Sequence, residues 1–387
     1  QIDTLNNLYW ITQNSGAWDK YYIQTSNIDA SSTSAWDDGQ GFTPLGNNST
    51  KFTGTYDGGG YVINDLNINR PSTTYIGLFG YTIGSTIKDI GVINVNITGG
   101  NRTGGLVGYN NSSAISNCYS TGSIIGGQYV GGLIGMVDDS STVNNCYSSG
   151  SVTGSGTDAG GLVGYNNSSA ISNCYSTGSV VSSERIRIGG LVGWSLGGSI
   201  SNCYSTGSVT GSNFVGGIIG FGSGGYAVSG LFWNIDDFST DNGIGTGITT
   251  IEMMDAYTFC FAGWDFEEDE NGNDNGTTGG ISGNGTDNWW DMVQDGNHYP
   301  VLSWQNGDTV LVTDLTNECL TDNGGCGDPA YNICTNNIGA PPTCYDIVAS
   351  GGDLIVDQNS INQYEQDNYV LFDAFDFHGS YQGNINI

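Results

Sequence analysis

Basic side chains are scarce in this chain. Seven Lys and Arg stand against 38 Asp and Glu, a formal net charge of −31. Such a chain cannot gain affinity by neutralising phosphates, so nucleic acid is excluded as a partner. Basic clusters that would hold an anionic membrane are missing too. Histidine occurs only at His298 and His378, so no Ser-His-Asp arrangement can be proposed. No apolar run reaches 18 residues, so membrane insertion is not expected. Proline is rare; with glycine it makes 70 of 387 residues, below the level that marks low-complexity disorder. The start, Gln1-Ile2-Asp3-Thr4, has neither a basic stretch nor an apolar one and reads as a processed N-terminus.

Glycine, by contrast, is abundant at 64 residues, and aromatic residues make 11% of the chain, far too many for a disordered one. The glycines are periodic. A Gly-apolar-apolar-Gly box recurs at 77–80, 105–108, 132–135, 161–164, 190–193 and 217–220, its closing glycines 27 to 29 residues apart. A second box follows, as in Ile115-Ser116-Asn117-Cys118-Tyr119-Ser120 and its equivalents at 143–148, 171–176 and 200–205. A third, of the type Thr177-Gly178-Ser179-Val180, closes each unit. None is long enough for a helix. Three short strand-like boxes per near-constant period predict an all-β fold: a right-handed parallel β-solenoid of about six to seven coils, one repeat of about 28 residues per coil.

Shifting by one repeat aligns Cys118, Cys146, Cys174 and Cys203 with Ile90 upstream and Leu231 downstream, so this site is apolar. It reads as a core ladder of buried thiols, with disulfides between adjacent coils as the alternative. Apolar residues at i and i+3 break strict alternation and place a bend between them. The bend holds Asn117, Asn145, Asn173 and Asn202, whose stacked amides are expected to bond along the axis.

These boxes resemble the GLUG motif of large bacterial and archaeal surface proteins. The segment 52–60 looks like that family's opening segment. Phe232-Trp233-Asn234, the stretch 249–266 and the residues through Trp304 look like its closing segment. The resemblance implies a secreted or cell-surface protein of adhesive or structural kind, with no catalytic residues. The expected organisation is an aromatic N-terminal cap at 1–50 (Trp10, Trp18, Tyr21, Tyr22, Trp36), a solenoid at 51–235 and a C-terminal cap at 236–310.

The cysteines at 319, 326, 334 and 344 cluster as a disulfide framework does, implying an oxidising, extracellular setting. Their spacing resembles the first four cysteines of an EGF-like module at 311–346. That resemblance implies the pairs Cys319–Cys334 and Cys326–Cys344. It also implies a calcium site at Asp314, Glu318 and Asn336, set against a plain disulfide-stapled loop. Cys260 is left over as a lone thiol. The acidic run 267–276 reads as a solvated loop, with calcium as the alternative. Ten N-x-S/T sequons mark candidate glycosylation at Asn47, Asn48, Asn96, Asn101, Asn110, Asn111, Asn166, Asn167, Asn275 and Asn284. The segment 347–387 reads as a strand tail, or the start of a further domain, seeking a partner in another domain or subunit.

An enzyme is the rival class, since β-helices include polysaccharide lyases and hydrolases. A lyase needs a basic residue as proton acceptor or charge neutraliser. Arg185 and Arg187 sit in a local insertion that reads as an exposed salt-bridged corner. A glycosidase needs opposed carboxylates, but Asp138, Asp139 and Asp158 read as turn residues. The chain is therefore expected not to be an enzyme. Ice binding is a minor alternative resting on one column, Thr121, Ser149, Thr177 and Thr206. The expected partners are copies of itself in a filament, other surface proteins, and glycans.

Overall fold

Each repeat closes into one turn of a parallel β-solenoid, because its short β-branched boxes are separated by Gly, Ser and Asn that accept corner conformations. The computed structural model describes residues 1–182, 187–237, 242–254, 258–259, 262, 264, 290–291 and 299–305, together with the backbone of four strands between 332 and 386. The chain forms two units, residues 1–267 with 289–310, and residues 268–288 with 311–387.

In the first unit, one coil runs as follows. Val130–Gly131 joins a four-stranded sheet and Ile134–Asp138 a six-stranded one. Thr142–Asn144, Tyr147–Ser148 and Ser151–Gly154 then join a sixteen-stranded sheet. Consecutive coils pair in parallel and in register, so Ile87, Ile115, Val143, Ile171 and Ile200 stack as expected. These five are buried, with apolar columns such as Leu106, Leu133, Leu162 and Leu191 in the same core.

The cysteine column lies between Ile90 and Leu231, in the register the sequence implies. Cys118, Cys146, Cys174 and Cys203 are fully buried free thiols. Each Sγ donates to the carbonyl two residues before it, at 3.0 to 3.1 Å. The bend is a left-handed residue in six successive coils: Asp89, Asn117, Asn145, Asn173, Asn202 and Gly230 all have φ between 50° and 56°. Asn tolerates this region best among side-chain-bearing residues.

The continuous amide ladder is corrected. Asn117 Nδ2 donates to Asp89 Oδ1 at 2.8 Å, but Asn173 Nδ2 donates to Asn144, and the buried Oδ1 atoms of Asn145 and Asn173 accept nothing. The axial polar ladder is instead built from serine. The backbone N–H of Ser85, Ser113 and Ser141 donates to the hydroxyl of the next coil's serine at 3.0 to 3.1 Å, ending at Ser169.

The opening glycines at 105, 132, 161 and 190 each face the serine that closes the second box. A Cβ on Gly161 would lie 2.1 Å from both Ser176 Oγ and the Gly190 carbonyl oxygen. Ser120, Ser148 and Ser176 fill this space with buried hydroxyls that have no partner.

The N-terminal cap contains a helix, Leu5–Gln13, that the strand pattern does not anticipate. Thr4 and Asn7 form its capping box, and Leu8 and Ile11 are buried. Of the expected cap aromatics, Trp18 and Tyr22 are buried, while Trp10 and Tyr21 are exposed.

In the second unit, Asn332–Thr335, Thr343–Ser350 and Asp353–Val356 form an antiparallel ladder in which Cys334 is the register partner of Cys344. Ile385–Asn386 pairs in parallel with Asp353–Val356, which corrects the expectation of a tail strand without an internal partner. Asp314, Glu318, Asn336, Cys319, Cys326, Cys260, Asn275, Asn284 and the run 267–276 lie outside the described residues, as do the side chains of Cys334 and Cys344.

The glycine and serine columns have opposite expected sensitivities. Gly161→Ala should cost about 3 kcal/mol or more, because the obstacle is backbone. Ser176→Ala removes an unsatisfied buried hydroxyl and should change stability by less than about 1 kcal/mol, in either direction. Urea unfolding of both variants checks this, and equal losses would refute it.

Candidate functional site

The residue after each closing glycine points outward from the six-stranded sheet. Tyr81, Tyr109, Met136, Tyr165, Trp194 and Phe221 form one register column. Beside it, at the corner before the four-stranded sheet, runs a second column: Tyr75, Arg102, Tyr129, Asp158, Arg187 and Phe214. The corner side chains fold over the strand column. Tyr75 lies 5.1 Å from Tyr81 and 5.8 Å from Tyr109, Tyr129 lies 5.2 Å from Tyr165, and Phe214 lies 5.1 Å from Phe221. The cations fit between them. Arg102 sits 5.4 Å from each of the Tyr75, Tyr109 and Tyr129 rings, and Arg187 lies 3.6 Å over Trp194. Such contacts are worth about 0.5–2 kcal/mol each. Packing under this cover pushes the Tyr165 hydroxyl up to about 12, mainly through burial.

This stripe corrects two expectations. Asp158 is not a turn residue; it begins the strand Asp158–Gly160 and is buried. Arg187 is salt-bridged as expected, but not on an exposed corner; it is mostly buried and binds both Asp158 carboxylate oxygens, one of them at 3.0 Å. Arg185 lies outside the described residues.

A second aromatic column follows the cysteines. Tyr119, Tyr147, Tyr175 and Tyr204 stack at 4.8 to 4.9 Å with their planes within 8°. At one end the column stops at Gly91, where a Cβ would lie 2.3 Å from the Tyr119 ring. The closing segment covers the ladder. Trp304 lies 5.7 Å from Tyr119 and donates Nε1 to the Asn145 carbonyl, Gln305 bonds the Tyr175 hydroxyl, and Tyr204 donates to the Pro300 carbonyl at 2.6 Å. A groove of about 430 Å³ remains beside Tyr119, walled by Asp89, Asn117, Trp304 and Gln305. Behind it Lys88 bridges Asp57 at 2.8 Å and Asp89 at 2.9 Å. The two carboxylates raise the Lys88 pKa, Asp57 foremost, so it is held as a cation and is a poor proton acceptor. Among the described residues no cluster of three His, Cys, Asp or Glu could hold a metal.

The sequons divide by burial. Asn47, Asn48, Asn96 and Asn101 are exposed. Asn110 and Asn166 are corrected as glycosylation candidates: both are fully buried, with amides bonded to the Ser113 and Ser169 carbonyls. Asn111 and Asn167 have their amides tied to Asp139 and Asp138 at 2.6 Å, and Asn111 is buried as well.

The GLUG motif matches four times, at residues 99–125, 126–153, 155–181 and 185–210. This chain carries GLUG repeats. Each match spans one coil of the solenoid with its Cys-Tyr pair, and the coils on either side continue the same register without a match. Over 144 residues, 36% of this chain, the sequence is 38% identical to halomucin of Haloquadratum walsbyi, of which the matched stretch is 2%. Among solved structures, a Bacteroides ovatus protein provisionally described as an immunoglobulin A1 protease is similar at 21% identity and a TM-score of 0.46, over 64% of this chain and 82% of that one. An IgA1 protease is similar at 18% identity and a TM-score of 0.44, over 64% of this chain and 21% of that one. At these values neither carries an activity to this chain.

Both aromatic columns went unread in the sequence, although their signal is there. Tyr follows Cys in all four boxes, and an aromatic residue follows five of the six closing glycines.

The ladders imply a pH dependence. Burial raises the pKa of Tyr147, Tyr175 and Tyr204 and of the Cys118, Cys146 and Cys174 thiols. A raised folded pKa gives stability that is present below the unfolded value and lost above it. Unfolded values are about 8.5 for Cys and about 10 for Tyr. Thermal melts should therefore be insensitive to these groups near pH 7 and fall as pH rises from about 8.5 past 10, cysteines first. A melting temperature that holds or rises to pH 11 would refute the assignment.

Proposed function

We propose that this chain is a structural module of a secreted cell-surface protein, and that its aromatic and cation-bearing stripe is the contact face. The GLUG repeats and the similarity to halomucin support a surface protein built on a β-helix. The observation that carries the adhesive reading is the stripe itself: five aromatic rings and a methionine in one outward column, flanked by a second. A column made only to stiffen a coil would do so from inside. The partners fitting such a face are neighbouring copies of the chain and other surface proteins. Proton abstraction by Lys88 or Arg187 is disfavoured, since both are committed to carboxylates.

Trypsin-free labelling of intact source cells with an antibody against residues 51–235 checks the location, and negative-stain microscopy of native material checks assembly. Surface staining together with ordered arrays or fibres is expected. Signal appearing only after lysis would overturn the reading. A Trp194→Ser, Phe214→Ser double variant should still fold and should assemble or adhere less; unchanged adhesion would remove the stripe from the mechanism.

A further inference from the structure

Arg102 stands out by what it lacks. Of the six basic side chains among the described residues, Lys20, Arg70, Lys88 and Arg187 each hold a carboxylate within 4 Å. Arg102 holds none, in a chain of net charge −31. Its Nε donates to the Met136 sulfur at 3.4 Å, and among the described residues the four N–H groups of its two terminal nitrogens meet no acceptor. The rings of Tyr75, Tyr109 and Tyr129 surround the guanidinium, each with its centroid 5.4 Å away. The backbone is strained to place it: φ is 59° at Arg102 and 68° at Tyr75, a region bulky residues avoid.

The guanidinium opens on a hollow of about 630 Å³. Its other walls are the loop 47–50, residues 73–75 and Ser15. Hydroxyl and carboxamide groups dominate, one tyrosine ring is present, and no carboxylate lines it. The second cation without a carboxylate, Lys51, adjoins this loop; its Nζ donates to the Asn48 carbonyl at 2.6 Å and lies over the Tyr81 ring. Nearby Asp138 is already engaged by the Tyr109 hydroxyl and the Asn167 amide, both at 2.6 Å. The two uncompensated cations of the described chain thus flank one polar hollow.

We propose that this hollow binds an acidic saccharide. The anionic group docks on the free fork of Arg102, a geometry suited to two parallel hydrogen bonds. The sugar hydroxyls meet Ser, Thr and Asn groups of the 47–50 and 73–74 loops, and the ring lies against Tyr75. The size suits one or two sugar rings. The site rests on the geometry around Arg102 and not on adhesion or self-association, so a chain that never assembles keeps it.

Isothermal titration tests the proposal with a glucuronate-containing disaccharide, its sulfated counterpart, glucose and sodium acetate as separate probes. Binding of either anionic disaccharide is expected, weakening as salt rises, with glucose and acetate at least about tenfold weaker. Arg102→Gln should weaken binding about tenfold or more, and Arg102→Lys, which keeps charge without the fork, by less. Thr74→Tyr, which fills the hollow and leaves Arg102 in place, should abolish it if Arg102→Gln proves unstable. Lys20→Gln, an exposed change elsewhere, should leave affinity unchanged. No binding of either acidic probe, equal binding of glucose, or equal losses for Lys20→Gln and Arg102→Gln would overturn the proposal.

Discussion

Everything in the solenoid follows from the parallel backbone ladder between consecutive coils. It sets each residue on its counterpart one repeat away, at a strand spacing of about 4.8 Å. Every position of the repeat becomes a column, and a side chain must tolerate its own kind as nearest neighbour. Like charges in a column would repel by about 1 kcal/mol per contact in water and by several at lower effective dielectric. Only 4 of the 38 acidic residues accordingly fall within 99–210. The chain's acidity is moved out of the stacked coils, which are built from groups that stack without penalty: aliphatic residues, thiols, hydroxyls and aromatic rings.

The same ladder decides how aromatic rings behave. Tyr119 to Tyr204 lie nearly parallel because the register holds them so. Each face is spent on a neighbour, which leaves edges and hydroxyls to be satisfied from the side. The closing segment does that with Trp304, Gln305 and the Pro300 carbonyl. A column also needs an end. Gly91 supplies one by leaving room for the Tyr119 ring, and Phe232 begins the transition to the closing aromatic cluster at the other.

The columns that repeat one residue type were legible in the sequence. The cysteine and isoleucine positions, the coil count and the bend all follow from period and alternation. The sidedness of Tyr119 and its equivalents was not legible, because it depends on the left-handed residue at Asn117. That bend resets the alternation, so that Cys118 turns inward and Tyr119 outward, and strict alternation cannot say which. The corner column was hidden for a different reason. Tyr75, Arg102, Tyr129, Asp158, Arg187 and Phe214 share a position but no chemistry, so no repeat appears in the letters. Its unity exists only once the coils are stacked.

That mixed column also shows where the fold stores strain. Tyr75, Arg102, Tyr129 and Phe214 have φ of 68°, 59°, 61° and 44°, while Asp158 and Arg187 in the same column keep ordinary values. A bulky residue in the left-handed region costs on the order of 1–3 kcal/mol, and glycine would remove that cost at once. Glycine was available to this chain, which uses 64 of them. The four strained residues bury little core: Tyr75, Tyr129 and Phe214 cover the outward Tyr and Phe column, and Tyr75 and Tyr129 also cradle the fourth, Arg102. Strain kept on the outside, where glycine would serve the core equally well, is tied to the surface those side chains make. The solenoid interior therefore accounts for the repeat, and the corner column accounts for what distinguishes one coil's surface from the next.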